Sequence, residues 1–153
     1  MKFKKHSPAA PDFEKRVRES FGKQGLMATL GATLSRVEPG EVEIQMPVGP
    51  SVSQQHGFAH AGAVASIADS ACGYAAFSLM PVDSGVLAVE FKINLLAPGA
   101  GERLIARAKV VRAGRTLSIC QAEVSAVNES EEQVVAIMTA TIMNVRNRPG
   151  VQG

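Results

Sequence analysis

The sequence predicts an α+β fold in which one antiparallel sheet packs against one long helix, and three observations carry this. Several segments alternate apolar and polar residues with period two. One segment, Ala61 to Met80, is built mostly from small and apolar residues and reads as a single helix. The order is helix, two strands, the long helix, then four strands, without repeat or linker. At 153 residues the chain has the length of one domain and buries enough surface on folding to need no covalent staple.

Residues 1–10 read as a flexible basic arm, 11–146 as the single domain and 147–153 as a flexible tail. After Pro11, the residues Asp12, Phe13, Val17, Phe21 and Leu26 recur at helical spacing, with Gly25 loosening the end. Between Gly31 and Val48 the pattern is a hairpin: Val42, Ile44 and Met46 alternate with Glu41, Glu43 and Gln45 after the Pro39-Gly40 turn. Pro47, Gly49 and Pro50 open a polar loop, SVSQQHGFAH, that feeds the long helix. Beyond an Asp83-Ser84-Gly85 turn, Val89, Phe91, Ile93 and Leu95 share one face of a strand. Strands Leu104 to Arg112, Leu117 to Val127 and Val134 to Val145 follow, separated by Ala113-Gly114-Arg115 and by residues 128–132.

Composition removes several classes. Sixteen Lys and Arg stand against fourteen Asp and Glu, but Lys2, Lys4 and Lys5 lie in the arm, so the body is near neutral; with 5% aromatics and no Trp it lacks the basic stripe and stacking surfaces of a nucleic-acid binder. The N-terminus has no apolar run of signal-peptide type. Gly57 to Met80 carries Asp69 mid-run, which reads as a buried helix rather than a membrane span. Cys72 and Cys120 have neither redox-motif nor zinc spacing and fall in apolar segments, so a reducing, cytoplasmic setting is expected.

Asp69 is the only formally charged residue between Glu43 and Asp83. Burial raises the pKa of such a carboxylate, as a base or nucleophile working near neutral pH requires; the other reading is a structural Asp. Its helical neighbours Gly62, Ala65, Ser66, Cys72, Gly73 and Ala76 are all small, which suits either close approach of another backbone or room for a ligand. Val64, Ile67, Ala71 and Tyr74 form the bulky opposite stripe. His56 and His60 are four apart, but Gly57 between them and the lack of a third ligand speak against a metal site, so none is expected. A Ser66-His60-Asp69 triad lacks the G-x-S-x-G elbow. The start of the long helix at His60-Ala61-Gly62 would present unpaired N–H groups and a positive dipole end to a carbonyl oxygen, an arrangement suited to acyl transfer to water.

The string Gln54-x-x-Gly57-x-x-His60-Ala61-Gly62, with Asp69 nine residues after His60, resembles the signature of PaaI-type hot-dog-fold acyl-CoA thioesterases. The resemblance runs from about Gly25 to Val145 and includes the segments VEFKINLLAPG and VVRAGRTL. It implies a hot-dog fold, with the antiparallel sheet wrapped around the central helix, and hydrolysis of an acyl-CoA thioester without metal or redox cofactor. Asp69 would be the catalytic carboxylate, as nucleophile or general base. Gln54 would orient water or the substrate carbonyl, the Ala61 N–H beside Gly62 would take the oxyanion, and His60 would hold the loop. Two departures stand out: Ala61 replaces a Gly, and Gly73 replaces a hydroxyl residue found in some members.

The resemblance further implies dimers or tetramers with the site at the subunit interface. Arg112, Gly114 and Arg115, a turn with two guanidiniums, are the candidates for the coenzyme A phosphates, the alternative being a solvated hairpin tip. No nucleic acid or membrane partner is expected. Two other functions stand beside hydrolysis: an acyl-thioester-binding module without turnover, and an enoyl thioester hydratase using an Asp-His pair. Phe58, Tyr74, Phe77 and Met80 could each be core or pocket lining.

Overall fold

The computed structural model describes residues 5–153, so Lys2 and Lys4 of the basic arm lie outside the described residues. The first helix is two. α1 spans Phe13–Phe21 and α2 Gly25–Thr29, with Gly22 capping the first. The apolar spacing from Phe13 to Leu26 therefore does not report one helix: Val17 and Met27 are the buried anchors, and Leu26 is 55% exposed.

β1 (Thr33–Glu38) and β2 (Glu41–Pro47) form the expected hairpin, turning at Gly40 with φ +78°. A side chain at Gly40 would collide with the ring of His6, whose Nε2–H donates to the Val110 carbonyl at 3.1 Å. A 3₁₀ turn at Pro50–Val52 leads to α3 (Ala61–Phe77), which begins where the small-residue segment begins. β3 (Ser84–Leu95), β4 (Arg103–Ala113), β5 (Leu117–Asn128) and β6 (Glu131–Arg146) complete the chain. Ser84 and Gly85 open β3 instead of forming a turn, because they pair with Arg146 and Val145 on β6.

The six strands form one antiparallel sheet in the order β1-β2-β4-β5-β6-β3. α3 packs on its inner face against β2 through β6. The alternation explains this: Val42, Ile44 and Met46 of β2, Leu104, Ala106 and Ala108 of β4, and Ala136, Met138 and Ala140 of β6 are all buried. Many of these are alanines, as are Ala63, Ala68, Ala71 and Ala75 on the buried side of α3, so helix and sheet approach closely. Cys72 and Ala76 belong to this core and not to the Asp69 face.

β3 is an edge strand. Leu87, Val89, Phe91 and Leu95 are 45–54% exposed along it; a bulge at Val89 shifts the alternation, so that Phe91 and Leu95 stand on the helix side of the sheet, opposite Ala140 and Ala136, and Leu87 on the other side. The tail turns back through Asn147 and Gly150, both at positive φ, and lays Val151 on Gly85 and Gly153 beside Phe77. No helix among the described residues is long and apolar enough to cross a membrane.

Candidate active site

The loop before α3 folds on its own polar groups. The Gln54 N–H donates to the Phe58 carbonyl at 2.9 Å, and the Gln54 side-chain Oε1 accepts from the backbone N–H of His56 and, at 3.3 Å, of Phe58. Gly57 takes φ +85°, a turn that side chains resist. Ala59 bonds to Gly99 at 2.9 Å, where a Cβ on Gly99 would sit 3.0 Å from that of Ala59, so the loop is fastened to the β3–β4 connection at close range. With Oε1 spent, what Gln54 has left is its amide N–H pair.

His60 is the N-cap of α3. Its N–H donates to Val52, and its Nδ1 accepts the Gly62 N–H at 2.8 Å, which makes Nδ1 the unprotonated nitrogen. The N–H groups of Ala63 and Val64 both go to the His60 carbonyl. Of the four orphan donors of a helix start, only that of Ala61 has no acceptor among the described residues. Gly62, expected to contribute its N–H to the site, gives it to the cap instead.

A cleft of about 520 Å³ opens beside this helix start, lined by Gln54, Phe58, Ala61, Leu95, Leu96 and Val135. Phe58 therefore lines the cleft, whereas Tyr74, Phe77 and Met80 are core residues, each less than 5% exposed.

Asp69 lies on the face of α3 that the sheet does not cover, together with Gly62, Ala65, Ser66, Ser70 and Gly73. Its Oδ1 is buried and has no hydrogen-bond partner among the described residues, and desolvation holds its pKa above the ordinary carboxylate range. Eight helical steps separate Ala61 from Asp69, about 12 Å. One carbonyl group cannot touch both from a single chain.

This perturbation has a consequence for stability. Above the unfolded-state pKa the unfolded chain ionises Asp69 while the folded chain keeps it protonated, so stability falls as pH rises, and the penalty is complete once pH exceeds the raised folded-state value and the charge is carried partly buried. Asp69→Asn is expected to melt higher than wild type at neutral pH, the gap closing in acid; thermal melts across pH check it.

Arg112, Gly114 and Arg115 are not brought to the cleft. They sit at the β4–β5 turn, which lies with the C-terminal end of α3, where Gly40 bonds both Val110 and Ser78. The helix start lies at the other end of the sheet, by Gly99 and Arg103, about 25 Å away along β4. A Cβ on Gly114 would collide with the Leu117 carbonyl, so the tight turn demands glycine there. A second groove, about 460 Å³, crosses the outer face of the sheet; Arg107 in it is paired with Glu43 and Glu132.

Sequence reasoning missed one polar contact on the Asp69 face. The Ser70 hydroxyl donates to Gln24 Oε1 at 3.1 Å across 46 residues of chain, and no local pattern signals such a pair.

The family model of the thioesterase superfamily matches residues 56–133. A thioesterase family protein from Silicibacter pomeroyi is 50% identical, its structure superposing with a TM-score of 0.87 over 88% of this chain and 99% of that one. A 1,4-dihydroxy-2-naphthoyl-CoA hydrolase of Listeria monocytogenes is 25% identical over 124 residues, 81% of this chain and 98% of the hydrolase. The E. coli PaaI protein of the phenylacetic acid degradation operon shares the fold at 24% identity and a TM-score of 0.78, over 88% of this chain and 94% of its own. By its matched family model, its half-identical relative and its helix-wrapping sheet, the chain belongs to the thioesterase superfamily and has the hot-dog fold.

Proposed function

We propose that this protein is an acyl-CoA thioesterase that uses Asp69 of one subunit and the Ala61 N–H of another on the same thioester. The observation that carries the reading is the pairing of an orphaned carboxylate with a single unspent helix N–H about 12 Å away, two groups that complete a site only between copies. The exposed apolar row on edge strand β3 supports a dimer built along that edge; a tetramer would add a second interface.

In the reaction, oxygen attacks the thioester carbon, either from Asp69 itself or from a water whose proton Asp69 takes. The carbonyl electron pair moves to oxygen, which the Ala61 N–H receives. Gln54, with only its amide donors left, serves the carbonyl rather than the water. Collapse breaks the C–S bond, and the thiolate of coenzyme A takes up a proton to give free coenzyme A. In the general-base route the carboxylic acid is released at once, whereas direct attack leaves the acyl group on Asp69 as a mixed anhydride that a water then hydrolyses to the carboxylic acid. His60 and Gly62 act one step back, holding the helix start in shape. The reaction so written uses no metal or redox cofactor. The Listeria hydrolase acts on an acyl-CoA, which supports the same substrate class here. A cytoplasmic setting, suited to the two free buried thiols, belongs to this proposal.

Arg112, Gly114 and Arg115 would meet the coenzyme phosphates only from a different copy than the one supplying the cleft. Arg112→Ala and Arg115→Ala are each expected to raise KM several-fold with kcat nearly unchanged, the effect shrinking in high salt. Steady-state kinetics at two ionic strengths check this.

The test of the whole reading is thiol release from a panel of aromatic and straight-chain acyl-CoA thioesters. Turnover of at least one supports it. Binding of a thioester without thiol release would make the protein an acyl-thioester-binding module, and conversion of an enoyl thioester without thiol release would make it a hydratase.

A further inference from the structure

We propose that Gln24 anchors the hydrolytic water at Asp69. The inference rests on the thioesterase reading and selects its general-base route. Ser70 follows Asp69 directly and is turned about 100° around α3, so the two side chains stand on opposite banks of the face the sheet leaves open. The Ser70 hydroxyl donates to Gln24 Oε1 at 3.1 Å, tying the carboxamide to the bank facing Asp69.

Gln24 is well placed to be held there. It lies at the junction of α1 and α2, where its N–H donates to the Phe21 carbonyl at 3.0 Å and its carbonyl accepts from Ala28 at 3.3 Å. Its backbone is fixed, and its side chain is partly buried. Oε1 keeps one lone pair beyond the bond from Ser70, and Nε2 has no acceptor among the described residues.

Between the banks there is space. A Cβ built on Gly73, one turn past Asp69, meets nothing within 4 Å. An ordered water needs room and at least two polar partners. The buried, unpartnered Oδ1 of Asp69 is one, and Gln24 Oε1 is the other. A side chain at Gly73 would narrow this space, and the position carries none.

A water so held donates one hydrogen to Asp69 and the other to Gln24, leaving a lone pair for the thioester carbon. As the new C–O bond forms, the hydrogen bonded to Asp69 crosses to its carboxylate while the carbonyl pair moves to oxygen. Asp69 then returns the proton to the departing thiolate as the C–S bond breaks. Gln24 gains and loses no proton.

The experiment compares wild type, Gln24→Ala, Gln24→Glu and Asp69→Asn in steady-state thiol release on two unrelated acyl-CoA substrates, with circular dichroism and gel filtration on each variant. Gln24→Ala is expected to lower kcat about tenfold for both acyl groups with KM close to wild type. Gln24→Glu keeps an acceptor for Ser70 and for the water, so it is expected to recover much of the lost kcat. It also moves the acid limb of the kcat profile to higher pH, because a second carboxylate disfavours ionisation of Asp69. A Gln24→Ala effect confined to KM or to one acyl group, or a Gln24→Glu variant as impaired as Gln24→Ala with an unmoved acid limb, overturns the proposal. If Asp69→Asn keeps wild-type kcat, the thioesterase mechanism itself falls and Gln24 with it. If Asp69→Asn is inactive while both Gln24 variants match wild type, this proposal alone falls.

Discussion

Asp69→Asn is expected to reduce thiol release at least a hundredfold, the usual cost of removing a general base or nucleophile, while leaving the fold intact. Asn has nearly the shape of Asp and is neutral, so it relieves the burial of an unpaired charge on α3 and leaves packing untouched. Loss of activity would therefore coincide with a rise in melting temperature at neutral pH, a combination that damage to the fold cannot produce. In wild type the acid limb of kcat/KM is expected above the ordinary carboxylate range, since desolvation raises the pKa of Asp69 and activity needs its ionised form. Unchanged turnover in a folded Asp69→Asn protein would remove the carboxylate from the mechanism.

The second large effect concerns Ala61 and tests whether the site is shared. Ala61→Pro deletes the one N–H of the helix start that remains unspent. Proline is favoured at the first helical position, and it requires the preceding residue to be extended, which His60 already is at φ −62° and ψ 139°. The helix should form normally while catalysis falls about a hundredfold, the cost of one oxyanion donor. Mixing Ala61→Pro with Asp69→Asn subunits, after dissociation and reassembly, is then expected to restore activity. Each mixed dimer contains one site with an intact Asp69 from one chain and an intact Ala61 from the other. Two inactive parents that stay inactive when mixed would mean that each chain carries its own site.

Much of the fold was legible because it is written in local periodicity. The strands of β2, β4 and β6 alternate with period two, and α3 begins at Ala61 as the small-residue segment does. Where local signals competed, the reading slipped. Leu26 continued a helical spacing, yet the chain breaks after Phe21 so that α2 can bury Met27. Ser84 and Gly85 looked like a turn, yet β6 extends far enough to pair with both.

The candidate site divides along the same line. Residue type and spacing by themselves determined that Asp69 is an isolated carboxylate on an apolar helix, that His60 precedes its start, and that small residues surround it. Which polar groups remain available was decided only by tertiary structure. The cap takes the N–H of Gly62, the loop takes the oxygen of Gln54, and the pairing of β4 with β5 carries Arg112 and Arg115 to the far end of the sheet. The edge position of β3, which leaves Val89 and Phe91 exposed, and the bond from Ser70 to Gln24 belong to the same category. Periodicity reports how a residue relates to neighbours a few positions away. Hydrogen-bond partners and sheet order depend on segments brought together from tens of residues apart, and they are fixed by the packing of the whole chain.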